Sequence, residues 1–259
     1  MFSFEIDPKQ LLDLFRKALM NDEMTGAVLR FTPTNVVTSS FAMTYGAYGD
    51  YNLSRFKNYK CDAVTDIKIS PAFVNNFETI QITSEPLCFV EFNTGDKTLK
   101  VTAGPRRRWT PNIPNLEVKT VGFEDSKLIL VKKENVGYLP TSKTNRDVPI
   151  HFQCKIDASS VDLPKTEKAT VVLDNDTMML KWDLDGAAEL DINIDKTKVI
   201  IPRILSQPEE KHAYDVMIPY VRQMLSVLKG EVYFTFFEKT WCITQITPEA
   251  AITYFISTS

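Results

Sequence analysis

Histidine, cysteine and glycine are all scarce in this sequence, at 2, 4 and 9 of 259 residues. His151 and His212 have no metal-ligating partner at helical or hairpin spacing, so no metal site is expected. Cys61, Cys88, Cys154 and Cys242 are scattered and never form a CxxC pair, which fits reduced thiols in an intracellular protein. The glycines of "YGAYGDY" do not join a strand to a helix as a phosphate cradle would, so a turn or loop is expected there. No G-x-S-x-G occurs and no cysteine has an evident histidine neighbour, so no catalytic residue and no cofactor are assigned. No apolar run approaches the roughly 18 residues needed to cross a bilayer, and a membrane partner is not expected. "MFSFEIDPKQ" lacks the basic and then apolar regions of a secretory leader.

What is present is an ordinary globular composition, with 44% hydrophobic and 24% charged residues. Such a chain can bury a substantial core, in one large domain or two of usual size. The net charge of −3 excludes a protein coated in basic residues. It leaves room for a basic patch on one surface, balanced by acids elsewhere.

Four strand-to-helix joins organise the chain. "FSFEI" alternates as a strand; Asp7 then offers an N-cap, Pro8 suits the first helical position, and Leu11, Leu12, Phe15 and Leu19 recur at helical spacing. "TDIKIS" leads into "PAFVNNFETI" in the same way, and "YDVMI" into "PYVRQMLSVLK", a helix expected to close at Gly230. "IHFQCKID" begins a further unit whose helix should be short, because Pro164 interrupts it. Between these lie runs with strand alternation, including "AVLRFTP", "NVVTSSFAM", "QITSE", "LCFVEF" and "KATVVLDN". "SKLILVKK" sits inside a stretch otherwise poor in helix signals.

The joins fall near Ile6, Ile69, Ile156 and Ile218. The first is therefore separated from the third, and the second from the fourth, by nearly equal lengths of chain. That agreement reads as an internal duplication. The expected fold class is α+β: two similar domains, each of antiparallel sheets with two helices on one face. The expected boundaries are 1–104 and 150–259, with 105–149 as a connection carrying an embedded strand pair. Helices on one face leave sheet edges open, and a closed ring of copies would cover them.

At this point the chain resembles the DNA sliding clamps, the ring-shaped polymerase processivity factors that include proliferating cell nuclear antigen (PCNA). The likeness rests on "MFSFEIDPKQLLDLFRKAL", on "FKNYKCD", which is similar to the F-x-x-Y-x-C-D stretch of cellular clamps, and on the closing strands that end in "ITYFIST". A short third helix, a long connection and an unusual C-terminus depart from the cellular pattern. They point to a phage, viral or divergent archaeal member. The resemblance implies a homotrimer encircling double-stranded DNA without sequence specificity, and a clamp loader and DNA polymerase as partners. It places the protein inside the cell at DNA. Two other readings remain open: a monomeric or dimeric processivity factor of the same fold, and a viral structural β-protein.

For a clamp, the resemblance implies basic residues on the helices that face phosphate. Lys9, Arg16 and Lys17 in the first helix fit, as do Lys68 before the second and Arg222 and Lys229 at the last. Each also fits the solvated face of an ordinary amphipathic helix. The second helix offers only Asn75 and Asn76. Arg106, Arg107 and Arg108, beside Trp109, could meet DNA, an acidic partner or water. The aspartates from Asp174 to Asp195 are expected on a solvent-facing sheet surface, since they lack the D-x-D-x-D-G spacing of a calcium loop. Clamp partners insert an aromatic-containing peptide into an apolar pocket. The matching positions here are Phe41, Met43, Leu139, Phe255 and Ile256, each of which also fits core packing.

Overall fold

The structure, a computed structural model, describes residues 1–79, 85–95, 98–104, 107–110, 128–133, 137–142, 150, 152–161, 163, 165–173, 178–182, 188–192, 212–237 and 239–258. The side chains of 79, 107–109, 128–142, 152, 172–192 and 212–213 lie outside that description. "QITSE" is likewise almost wholly outside it. The chain divides into two compact units, one made of Met1–Phe41, Ala47–Ser126 and Thr247–Ala251, the other of Ala42–Gly46, Lys127–Ile246 and Ile252–Ser259.

The first unit begins with β1 (Phe2–Ile6), whose alternation buries Phe2, Phe4 and Ile6. Helix α1 (Pro8–Ala18) starts where the sequence predicts: the Lys9 amide donates to Asp7 Oδ1 at 2.8 Å, and Pro8 occupies the first turn. Leu11, Leu14, Phe15 and Ala18 form its buried stripe. The chain then reverses through Met20, Asn21 and Asp22, three consecutive residues with φ of 49°, 54° and 72°. Met20 is fully buried, and the Met24 amide bonds to the Leu19 carbonyl at 3.0 Å; these contacts offset the left-handed backbone.

β2 (Ala27–Phe31), β3 (Asn35–Phe41), β4 (Tyr45–Asn52), β5 (Lys57–Cys61) and β6 (Thr65–Ile69) follow, then α2 (Pro71–Thr79), β7 (Cys88–Asn93), β8 (Thr98–Ala103) and β9 (Arg107–Trp109). One sheet has the order β5-β1-β7-β8-β9; in a second, β6, β2, β3 and β4 are successive neighbours. "YGAYGDY" is therefore strand, not loop. The reason is close approach: a Cβ on Gly49 would lie 2.6 Å from Thr38 Oγ1 and 2.7 Å from the Tyr51 ring. The core is aromatic, with the Phe2 ring 3.9 Å from that of Phe31 and 5.4 Å from that of Phe92. Helices α1 and α2 pack together through Phe15, which meets Phe73 at 5.5 Å and Phe77 at 5.6 Å, edge to face.

The second unit holds the hairpin β10 (Leu128–Lys133) and β11 (Gly137–Ser142), then β12 (Phe152–Asp157). The short helix expected after β12 is a single 3-10 turn, Ala158–Ser160, capped by Asp157 Oδ1 on the Ser159 amide at 2.8 Å. β13 (Lys168–Leu173), β14 (Met178–Trp182), β15 (Ala188–Ile192) and β16 (His212–Met217) lead to α3 (Ile218–Ser226), and β17 (Glu231–Phe237), β18 (Thr240–Ile246) and β19 (Ala250–Ser257) close the chain. Gly230 does not end α3. It lies beyond the Val227 cap at φ 77°, and its carbonyl accepts the Ala158 amide at 2.9 Å.

The strand orders of the two units correspond. β1-β7-β8-β9 in the first matches β12-β17-β18-β19 in the second, and β6-β2-β3-β4 matches β16-β13-β14-β15. Helix α2 matches α3, and α1 matches the 3-10 turn. The sequence repeat is thus a repeat of hydrogen-bonded topology, the α+β class expected.

Candidate nucleic-acid interface

Each helix buries one face in its own unit and turns the other outward, which fixes the side chains available to a ligand. On α1, Lys9 and Arg16 are exposed. Arg16 reaches α2 and forms an ion pair with Glu78. Lys17 is only 13% exposed and holds Asp13, one turn earlier, at 3.0 Å. Asp13 also accepts from Arg55, at 3.2 Å, and Arg55 in turn donates to the Gln10 carbonyl at 3.0 Å. Two of the three α1 cations are thus partly neutralised in place, and Lys9 has no ion pair among the described residues. Sequence spacing showed which residues share the outward face; it could not show Glu78 and Arg55 arriving from elsewhere.

On α2 the exposed residues are Ala72, Asn75 and Asn76, and its one charge among the described side chains is the partly exposed Glu78, so this helix offers no cation to solvent. On α3, which corresponds to α2, Arg222 and Ser226 are exposed while Val221, Met224 and Leu225 are buried. Lys68 is exposed on β6, and its Cε would lie 3.0 Å from a Cβ on Gly26. Lys229 is exposed in the turn before β17, and its carbonyl accepts from Gln245 Nε2 at 2.6 Å. Arg107 and Arg108 lie on edge strand β9, opposite Ala103 and Thr102. Their side chains, and all of Arg106, lie outside the described residues, as do the side chains of the acidic run from Asp174 to Asp195.

The residues expected from the resemblance to dock partners separate into two kinds. Met43, at the tip between β3 and β4, is fully exposed, and Phe41 is half-buried. Phe255 and Ile256 are buried in β19. The tip and the C-terminal strand do meet: the Ser257 amide donates to the Thr44 carbonyl at 2.6 Å. Beside them, Tyr45 stacks on Tyr220 of α3 with ring centroids 4.1 Å apart. Leu139 stands opposite Val131 in the β10–β11 hairpin, its side chain outside the described residues.

Among the described residues no group of three or more His, Cys, Asp or Glu side chains could hold a metal ion. The described cysteines are free thiols. Burial pushes the thiols of Cys88 and Cys154 up to about 12, and that of Cys242 well above its ordinary value, so none is poised as a nucleophile. No described helix is long and apolar enough to cross a membrane.

Paired units of antiparallel sheet, with helices packed against one side, define a clamp-type fold. Solved structures place it more closely. The chain matches PCNA from Thermococcus kodakaraensis with a TM-score of 0.72 at 12% identity, covering 100% of each chain. It matches A. fulgidus PCNA, solved with the C-terminal region of FEN-1, at 0.66 and 11% identity over 100% of this chain and 98% of that one. It also matches a PCNA2–PCNA3 complex from Sulfolobus tokodaii at 0.66 and 12% identity, over 99% and 98%. No family model and no curated protein sequence matches. The chain therefore has the PCNA sliding-clamp fold along its whole length, and at such low identity the likeness is one of fold.

Proposed function

We propose that this chain is a ring-forming DNA sliding clamp, a homotrimer that encircles duplex DNA and tethers a DNA polymerase without doing chemistry itself. The observation that carries the reading is the full-length likeness to PCNA, at a TM-score of 0.72 with nothing left over in either chain. Lys9, Lys68, Arg222 and Lys229 are the exposed cations assigned to phosphate, with Arg16 in part. Contacts of this kind carry no base information and weaken steeply with salt. The sparse charge suits a ring that slides: topology keeps it on DNA, and tight binding would hinder movement. The Met43 tip beside the end of β19 is the assigned docking surface, where an apolar side chain of a polymerase or clamp loader would bury area.

Light scattering on the purified protein tests the ring. A mass about three times the 29.5 kDa of the chain is expected, and a monomer at micromolar concentration would overturn the proposal. Loading onto DNA separates a ring from a factor of the same fold that clings to one side. A ring stays on nicked circles and leaves linear duplex through its ends; equal, salt-sensitive retention on both would favour the one-sided factor.

A further inference from the structure

Asp13 is out of place on a helix meant to face phosphate. It is 42% exposed and stands one turn from each of Lys9, Arg16 and Lys17, where a free carboxylate would repel the phosphates assigned to those cations. Its partner comes from the 3-10 turn Leu53–Arg55, between β4 and β5. The Arg55 guanidinium donates to Asp13 Oδ2 at 3.2 Å and to the Gln10 carbonyl at 3.0 Å. It also lies 3.8 Å from Glu249 Oε2 and 5.6 Å from the centroid of the Tyr51 ring. All of these residues belong to the first unit. The Arg55 side chain is only 8% exposed, and its Nε has no hydrogen-bond partner among the described residues. A guanidinium keeps its charge when buried, so it requires a carboxylate close by. Asp13 meets that need at hydrogen-bonding distance, and Glu249 only loosely.

We infer that Arg55 is a positioning residue for DNA contact, acting through Asp13 and never meeting DNA itself. Its depth excludes a direct bond to phosphate. What it does instead is cancel the Asp13 charge from behind, so that α1 meets the duplex as a basic helix. The charges of the cluster bear this out: Arg55 and Lys17 balance Asp13 and Glu249, and removing Arg55 would leave a net negative charge at α1. The inference rests on the clamp reading, because it requires α1 to face DNA. A second role for the same bond would be to pin α1 in place. The two roles differ in sign. If the bond only pinned the helix, losing either partner would weaken DNA binding alike. Charge compensation makes the loss of Arg55 weaken binding and the loss of the Asp13 charge strengthen it.

Titration of the full chain with a linear duplex, which a ring can thread from an end, tests this at several salt concentrations. Arg55→Gln should weaken binding several-fold and lower the salt slope by about 0.9, one counterion. Asp13→Asn should tighten binding and raise the slope by a similar amount. The double variant should return to within about twofold of the parent, because the two charges cancel. Asp13 and Glu249 are 42% and 52% exposed, so water can solvate both once Arg55 is gone, and the urea midpoint checks that each variant is folded. Should Arg55→Gln not fold, Asp13→Asn alone decides, and a slope that falls or stays level would overturn the inference. Weaker binding in both single variants would overturn it and leave Arg55 a structural tether. So would a double variant no better than Arg55→Gln, or an unchanged slope in Arg55→Gln. Those results leave the clamp reading standing, whereas a parent chain with no salt-dependent affinity for duplex would overturn both.

Discussion

Arg16 on α1 and Glu78 on α2 form an ion pair between the two helices of the first unit, 62 residues apart in sequence. Both side chains remain partly exposed, so the pair contributes at most about 1 kcal/mol to stability. Its larger effect is on the outward field, because Glu78 cancels a cation assigned to phosphate. Glu78→Gln should therefore tighten binding to duplex DNA and steepen the salt dependence by about one counterion, a slope change near 0.9. Titrations at several salt concentrations read both quantities, and an unchanged slope would remove Arg16 from the DNA-facing set.

The remaining cations should rank by how far they are already engaged. Lys9→Ala and Lys68→Ala should each lower the salt slope by about 0.9, uniformly across DNA sequences. Lys17→Ala should do less, because Lys17 sits on Asp13 at 3.0 Å and is mostly covered. A larger effect at Lys17 than at Lys9 would reverse this assignment.

Phe2 and Phe89 make a matched pair for stability. Phe2 is fully buried and stacked on Phe31, and its truncation to Ala should cost about 3–5 kcal/mol in urea unfolding. Phe89 is 40% exposed on the outer face of the same sheet, and Phe89→Ala should fall within about 0.5 kcal/mol of the parent.

Arg30 on β2 and Asp66 on β6 form a two-pronged pair, with Nε to Oδ1 at 2.8 Å and a terminal nitrogen to Oδ2 at 2.9 Å. Asp66 is nearly buried, so Asp66→Ala should cost about 1.5–3 kcal/mol, well above an exposed pair. A loss below 0.5 kcal/mol, a figure on the order of a surface pair, would mean that water replaces the carboxylate freely.

Burial of thiols makes stability fall at alkaline pH. Cys88 and Cys154 are pushed up from 9.0 to about 12 in the folded chain, so they stay protonated where the unfolded thiols ionise. Their contribution is complete below the unfolded value and is lost as pH rises from there towards 12. The urea midpoint should decline over that interval, and the double variant Cys88→Ala with Cys154→Ala should flatten the decline.

The periodic segments were the most legible part of the fold. The buried stripe of α1, the cap at Asp7 and the alternation of β1 and β7 follow from side-chain spacing, because helix and strand each present one face to a core. The near-equal separation of the four joins exposed the duplication before any pairing was known. "YGAYGDY" was misread because glycine marks a turn when seen locally. At Gly49 the true constraint comes from Thr38 and Tyr51, and Thr38 belongs to another strand. Gly230 failed similarly: its positive φ is real, but it belongs to the turn before β17.

The candidate site was legible in part. The outward positions of Lys9, Arg16 and Arg222 follow from helical spacing. Exposure of Met43 and burial of Phe255 do not: "NVVTSSFAM" reads as one strand through Met43, whereas β3 ends at Phe41, and β19 is buried on both faces around Phe255.

Taken alone, the amino-acid order determined which residues turn inward along each element, and that two halves share one plan. Periodicity is a local property, and local sterics enforce it. Only the tertiary structure decided which charges meet, as Arg16 meets Glu78 and Arg55 meets Asp13. Those outcomes depend on elements brought together from distant parts of the chain, which no local pattern encodes.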